Sequence, residues 1–153
     1  MFKRPAKKRE FEQIPTDDQV AHAMRELAEI FVERSAHEGF EVGWDAGSAQ
    51  KLDELCEAFL AGRPDKDVMH SMIMSMGAYL GELIVRNADG RWMYSRQHEA
   101  AAVEVRQRTH CFPHNKVAKR LTHGDEHGLW AFYEYAATGK VPPGAQTSSV
   151  EMN

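Results

Sequence analysis

Five of the eight histidines, His98, His110, His114, His123 and His127, fall within 30 residues of one another. His110 and His114 lie either side of Cys111, and His123 and His127 either side of Asp125, so nitrogen and sulfur donors of the kind zinc prefers are close in sequence. Two histidines four apart share a face only on an unbroken helix, and Pro113 and Gly124 interrupt the two pairs. Neither an H-E-x-x-H motif nor a paired C-x-x-C is present. The histidines therefore read as capping and surface residues beside helix ends. A metal site built from His110, His114, His123 and His127 is the alternative, and no cofactor is expected.

Glu82 is the sharpest single residue. It lies in the stretch 68–85, which is otherwise large apolar side chains interleaved with Ser71, Ser75, Gly77, Ala78 and Gly81, with His70 as the other strongly polar member. A carboxylate on such a helix must be paired, protonated or facing a cavity. It is either a general base or ligand in a pocket, or one half of a salt bridge to Arg120 or to Arg86 one turn on. The salt bridge is the expectation, because structural ion pairs are the commoner cause. Tyr79 offers a hydroxyl to a pocket or, as a core tyrosine, to backbone. Ser71 and Ser75 stand mid-helix, where no nucleophile elbow exists. Met69, Met72, Met74 and Met76 read as core filling, with an adaptable binding surface as the alternative.

Lys116, Lys119 and Arg120 can form a phosphate-binding patch together with Lys3, Lys7, Lys8, Arg4 and Arg9 of the N-terminus. The first nine residues hold those five cations and no acid. The other 14 Lys and Arg face 23 acids, so the body carries about −9 while the arm carries +5. A basic arm suits nucleic acid or an anionic surface, but the body is acidic and has no recognised nucleic-acid motif. A solvated tail is the expected reading. No apolar segment follows the basic residues, so the N-terminus does not read as a secretory signal. The two cysteines, Cys56 and Cys111, make no disulfide framework. Cys56 falls on an apolar stripe as a reduced thiol, and a cytoplasmic location is the simplest expectation.

Around these residues the elements follow from periodicity and punctuation. Residues 1–15 read as a flexible arm. Thr16-Asp17-Asp18-Gln19 has the capping-box form and opens a helix with Val20, Met24, Leu27, Ile30 and Phe31 inward, ended by Gly39. A second helix covers about 48–61, stopped by Gly62 and Pro64. Asp65 caps a central helix over 66–86, apolar nearly all round and therefore enclosed by the rest of the fold. The run is long enough to span a membrane, yet Glu82, His70 and the small residues favour a core helix. Gly77 and Gly81 predict close approach of a neighbour. Arg91–Ser95 and 101–106 read as strands of an antiparallel hairpin, with a third near Thr109–Phe112. Pro113 starts a fourth helix, expected to turn Val117 and Leu121 inward and Lys116, Lys119 and Arg120 outward. Asp125 is expected to cap a fifth, ended by Gly139. The fold class is α+β, with one domain over 16–139 and a flexible tail over 140–153.

Leu52-Asp53-Glu54-Leu55, Gly77-Ala78-Tyr79-Leu80-Gly81-Glu82, Trp92, Phe112-Pro113, Val117-Ala118-Lys119-Arg120-Leu121, Gly124 and Phe132-Tyr133 occur in an order that resembles a family of small uncharacterised bacterial α+β domains with a G-x-Y-L-G-E central helix. The resemblance covers residues 45–135. It implies three helices, a short sheet and two closing helices, and it brings no assigned activity. Some small proteins of this type accompany toxin or secretion systems, which implies an immunity-like binding role. The functional expectation is a non-enzymatic protein-interaction domain whose partner is another protein, bound through the hairpin or an acidic face. A small-molecule or metal-dependent enzyme using Glu82 and the C-terminal histidines is the first alternative. A nucleic-acid accessory factor using the basic arm is the second.

Overall fold

A computed structural model of the chain describes residues 13–146, 151 and 152. The cations expected to form the N-terminal arm lie outside the described residues. Helix α1, Asp17–His37, begins at the expected capping box: the Gln19 amide donates to Thr16 Oγ1 (3.1 Å) and the Thr16 amide to Gln19 Oε1 (2.9 Å). Its buried face is Val20, Met24, Ala28, Phe31 and Ser35. Ile30, expected inward, is exposed, and Ala28 takes the inward position because the stripe advances by three and four residues. The helix ends where Gly39 takes φ +91° and the Phe40 amide reaches back to the Ser35 carbonyl (2.8 Å).

The helix expected over 48–61 is two elements. A single turn, α2 (Ala46–Ala49), is capped by Asp45, and α3 (Leu52–Ala61) follows it. At the junction the Gln50 and Lys51 amides bond three residues back. The tighter winding leaves both Ala49 and Leu52 fully buried.

Asp65 accepts the Val68 amide (2.9 Å) and opens α4, Lys66–Asn87. Every residue from Ser75 to Ile84 is buried, as a helix apolar on all sides requires. Its first turns are more open, with Met69, Met72 and Ile73 half-buried and Val68 exposed. By length and composition α4 also meets the requirement of a membrane span. It packs against α1 along its length and against the sheet and both closing helices.

Strands β1 (Arg91–Ser95), β2 (Ala100–Val105) and β3 (Thr109–Cys111) form an antiparallel sheet in that order, with Trp92 opposite Val103 and Val103 opposite Cys111. The sheet is tied to the start of α1 by Asp17. One of its oxygens accepts the Tyr94 amide (2.9 Å) and the other Arg91 (3.0 Å), and these bonds, the backbone one foremost, hold its carboxyl below the usual carboxylate range. Helix α5, Pro113–His123, starts on its proline, and α6, Leu129–Thr138, ends at Gly139 with φ +80°. Arg106, in the loop after β2, donates to the Tyr135 and Ala136 carbonyls and so satisfies the last turn of α6. This is the expected α+β architecture: among the described residues, five long helices, with the sheet between the third and fourth of them.

The two glycines of α4 have specific neighbours. A Cβ on Gly81 would collide with the Trp92 ring, and one on Gly77 with the His114 ring and backbone. We expect Gly81→Ala to destabilise the fold by about 1–3 kcal/mol through overpacking, read as a lower denaturation midpoint with unchanged slope. Equal stability would mean that the contact between Trp92 and α4 is loose.

Candidate functional site

Glu82 is enclosed by three elements. Its Oε1 accepts Trp92 Nε1 of β1 (3.0 Å), its Oε2 accepts Arg86 Nε one turn on (2.9 Å), and Arg25 Nε of α1 stands 4.0 Å from Oε2. The Arg86 guanidinium in turn lies 3.8 Å over the Trp44 ring. Of the two expected arginine partners, Arg86 is the one present. With each oxygen accepting a hydrogen bond and 3% of the residue exposed, Glu82 is built as a joint between β1 and α4, closed off from solvent. Tyr79 is also structural: its hydroxyl donates to the Gly43 carbonyl, Phe31 and Trp44 pack on its ring, and burial pushes its pKa up to about 12.

The basic trio does not form an outward patch. Lys119 is half-exposed and pairs with Glu151 (3.8 Å), whereas Lys116 and Arg120 are buried. The outward expectation fails because α5 is covered on two sides, by α4 and by the α3/α6 pair. The Lys116 stem crosses the Phe132 face with Nζ 5.3 Å from the ring centroid. Arg120 crosses to α3, where Nε meets Asp53 Oδ1 (2.8 Å) and Nη2 meets Glu57 Oε2 (2.9 Å).

Asp53 carries a role that the sequence reading missed. Besides Arg120 it accepts the Leu129 amide (2.9 Å to Oδ1) and the Trp130 amide (3.0 Å to Oδ2), so α6 is capped by α3. Asp125, expected as that cap, instead begins a short 3₁₀ turn, Asp125–His127, and the residue preceding α6 is Gly128. The missing local cap was the one available signal.

The histidines do not converge. His110 Nε2 is 3.4 Å from Glu104 on the sheet, and His114 Nε2 lies 3.1 Å from the Met74 carbonyl with its ring on Gly77. His123 and His127 place their rings 5.9 Å apart. Among the described residues no three His, Cys, Asp or Glu side chains are gathered where they could hold a metal ion. Cys56 and Cys111 are buried thiols raised to about 12 by burial, protonated and therefore poor nucleophiles.

The methionine cluster divides. Met76 is core, Met74 borders a hollow beside the sheet and α5, and Met72 lines an open apolar groove. This groove, of about 370 Å³, runs between α1, α3 and α4. Phe31, Phe40, Leu55, Phe59, Val68 and Met72 line it, with Arg34 of α1 and Glu38, the residue just after that helix, also bordering it. Comparison with protein-family models, curated proteins and solved structures finds no match.

Two expectations follow from Asp53 and Lys116. Asp53→Ala removes the α6 cap and leaves Arg120 with a weakened pairing, at a cost of about 2–4 kcal/mol; urea unfolding measures it, and a loss under about 0.5 kcal/mol would count against this role. Burial pushes the Lys116 pKa down to about 8, aided by Lys119 and opposed by Glu151. The unfolded chain, with an ordinary lysine near 10.4, then binds the proton more readily between about pH 8 and 10, so stability contributed at this site rises across that window. Lys116→Met should lose this rise, and parallel stability curves for the two proteins would exclude it.

Proposed function

We propose that this chain is a non-enzymatic protein-interaction domain and that the groove between α1, α3 and α4 receives the apolar side of a partner's amphipathic helix. The observation that carries this reading is the groove itself: an apolar concavity with a flexible methionine, an exposed valine and two opposite charges, Arg34 and Glu38, at the C-terminal end of α1. Helix-in-groove recognition uses these components, with apolar anchors for affinity and border charges for orientation. Met72 can adapt to different side chains, and Arg34 and Glu38 can each meet an opposite charge on the incoming helix. An immunity-like protein, which neutralises its target by binding it, would act in this way. The Glu82 bonding argues against the enzyme reading, and the burial of Lys116 and Arg120 takes away two cations that the nucleic-acid reading would have joined to the basic arm.

The test is a photo-crosslinking side chain placed at Val68 in cells of the native host. A discrete protein adduct is expected there, absent when the crosslinker is moved to the exposed Asp89 and lost when Met72→Glu is added. Because Val68 is 48% exposed, replacing it should change stability by less than about 0.5 kcal/mol. No adduct at position 68, or equal adducts at 68 and 89, would overturn the groove as the binding surface.

A further inference from the structure

β3 is one of the two edge strands of the sheet, and the residue after it, Phe112, is buried and begins the turn into α5. The Phe112 amide donates to the Met152 carbonyl at 2.8 Å. Without that acceptor it would be a buried donor lacking a partner, a costly state. The Met152 side chain packs against the core, and Glu151 meets Lys119 at 3.8 Å. Lys116 and His127 both feel the Glu151 charge. Glu151 and Met152 thus meet the β3–α5 junction through contacts of the kind an extended peptide makes on a docking site: one main-chain bond, one apolar anchor and one acid beside Lys119.

Each of these contacts is individually weak. A single neutral hydrogen bond contributes about 0.5–1.5 kcal/mol and a half-exposed ion pair about 0–1 kcal/mol. A segment held this way opens locally far more often than the fold unfolds. It stays seated because it is tethered, so a competitor faces a high effective concentration.

We propose that the β3–α5 junction is a docking site for an extended segment of another protein, an acid followed by methionine or a similar unbranched apolar residue, and that Glu151-Met152 occupies this site in cis until such a segment replaces it. The chemistry of the occupant is taken from the one seated there. Phe112 requires a main-chain carbonyl, which an extended backbone supplies. Lys119 selects the acid, and the core surface next to Phe112 selects the apolar side chain. The site lies on the sheet edge, apart from the α1/α3/α4 groove, and does not rest on the function proposed for that groove.

The experiment uses the full-length chain, wild type and Met152→Asp, with a fluorescent peptide of residues 146–153, QTSSVEMN, as probe. The peptide should bind the Met152→Asp chain at least about tenfold more tightly than wild type, since its tethered competitor is released. Adding Lys119→Glu should weaken this binding, and a peptide carrying aspartate for the methionine should not bind. Hydrogen exchange at the Phe112 amide should quicken in Met152→Asp and slow again with peptide. Glu151→Lys provides a second released chain should Met152→Asp not fold. Absence of binding to the released chain, or equal binding to released and wild-type chains, would overturn the proposal. Concentration-dependent dimerisation of the wild type that Met152→Asp abolishes would assign the site to a second copy and overturn the partner reading.

Discussion

Trp92 lies on the backbone of α4 where Gly81 has no side chain, and its indole N–H donates to Glu82 on the next residue of the same helix. The missing Cβ and the buried carboxylate are therefore parts of one contact. Because Trp92 sits there, β1 is held at a set height on α4, and Pro113 at the start of α5 comes against the same glycine. One turn earlier His114 occupies the equivalent gap at Gly77. Two glycines four positions apart thus dock the sheet and α5 onto the central helix. The carboxylate also holds Arg86 and stands beside Arg25 of α1, so a single buried negative charge orients elements on both sides of α4. Burying such a charge is tolerable only because its partners are fixed by packing.

A second polar centre closes the opposite end. Asp53 joins the start of α6 to Arg120 of α5 from a position on α3, so three helices meet at one carboxylate. The two centres share a design in which one carboxylate receives donors from more than one element, near in sequence at Glu82 and distant at Asp53. Such sites look catalytic in a residue inventory, since buried carboxylates are what general bases are made of. What gives them a structural role is that donors of the chain itself occupy both oxygens of each carboxylate.

Much of this was legible before any coordinates. The capping box at Thr16, the cap at Asp65, the proline at the start of α5 and the all-round apolarity of α4 are local signals, and the matching elements begin where those signals stand. The pairing of Glu82 with Arg86 was readable because the two are four residues apart on one helix. Its bond to Trp92 was not, since nothing in the spacing says which way an indole will turn. Lys116 and Arg120 were misplaced because helical periodicity assigns one inward face, whereas α5 is covered on two sides and long stems can lie across apolar neighbours. Asp53 was invisible as a cap because its partners lie 76 and 77 residues further along the chain. The methionines could be counted but not sorted, as only the path of α1 and α3 across α4 decides which of them remain open.

The division of α4 into an enclosed half and an open half has a mechanical consequence. Its stretch Ser75–Ile84 is buried on every side, while its first two turns, opened by the Asp65 cap, leave Val68 exposed and Met69, Met72 and Ile73 half-buried. The open turns carry Val68 and Met72, yet they belong to the same continuous hydrogen-bonded rod as the clamped ones. A partner settling on them meets a surface whose backbone is already immobilised, so the ordering entropy of association falls on side chains and on the partner, not on this helix. The glycines and the buried carboxylate at one end of the rod thereby set how stiff the surface at the other end is.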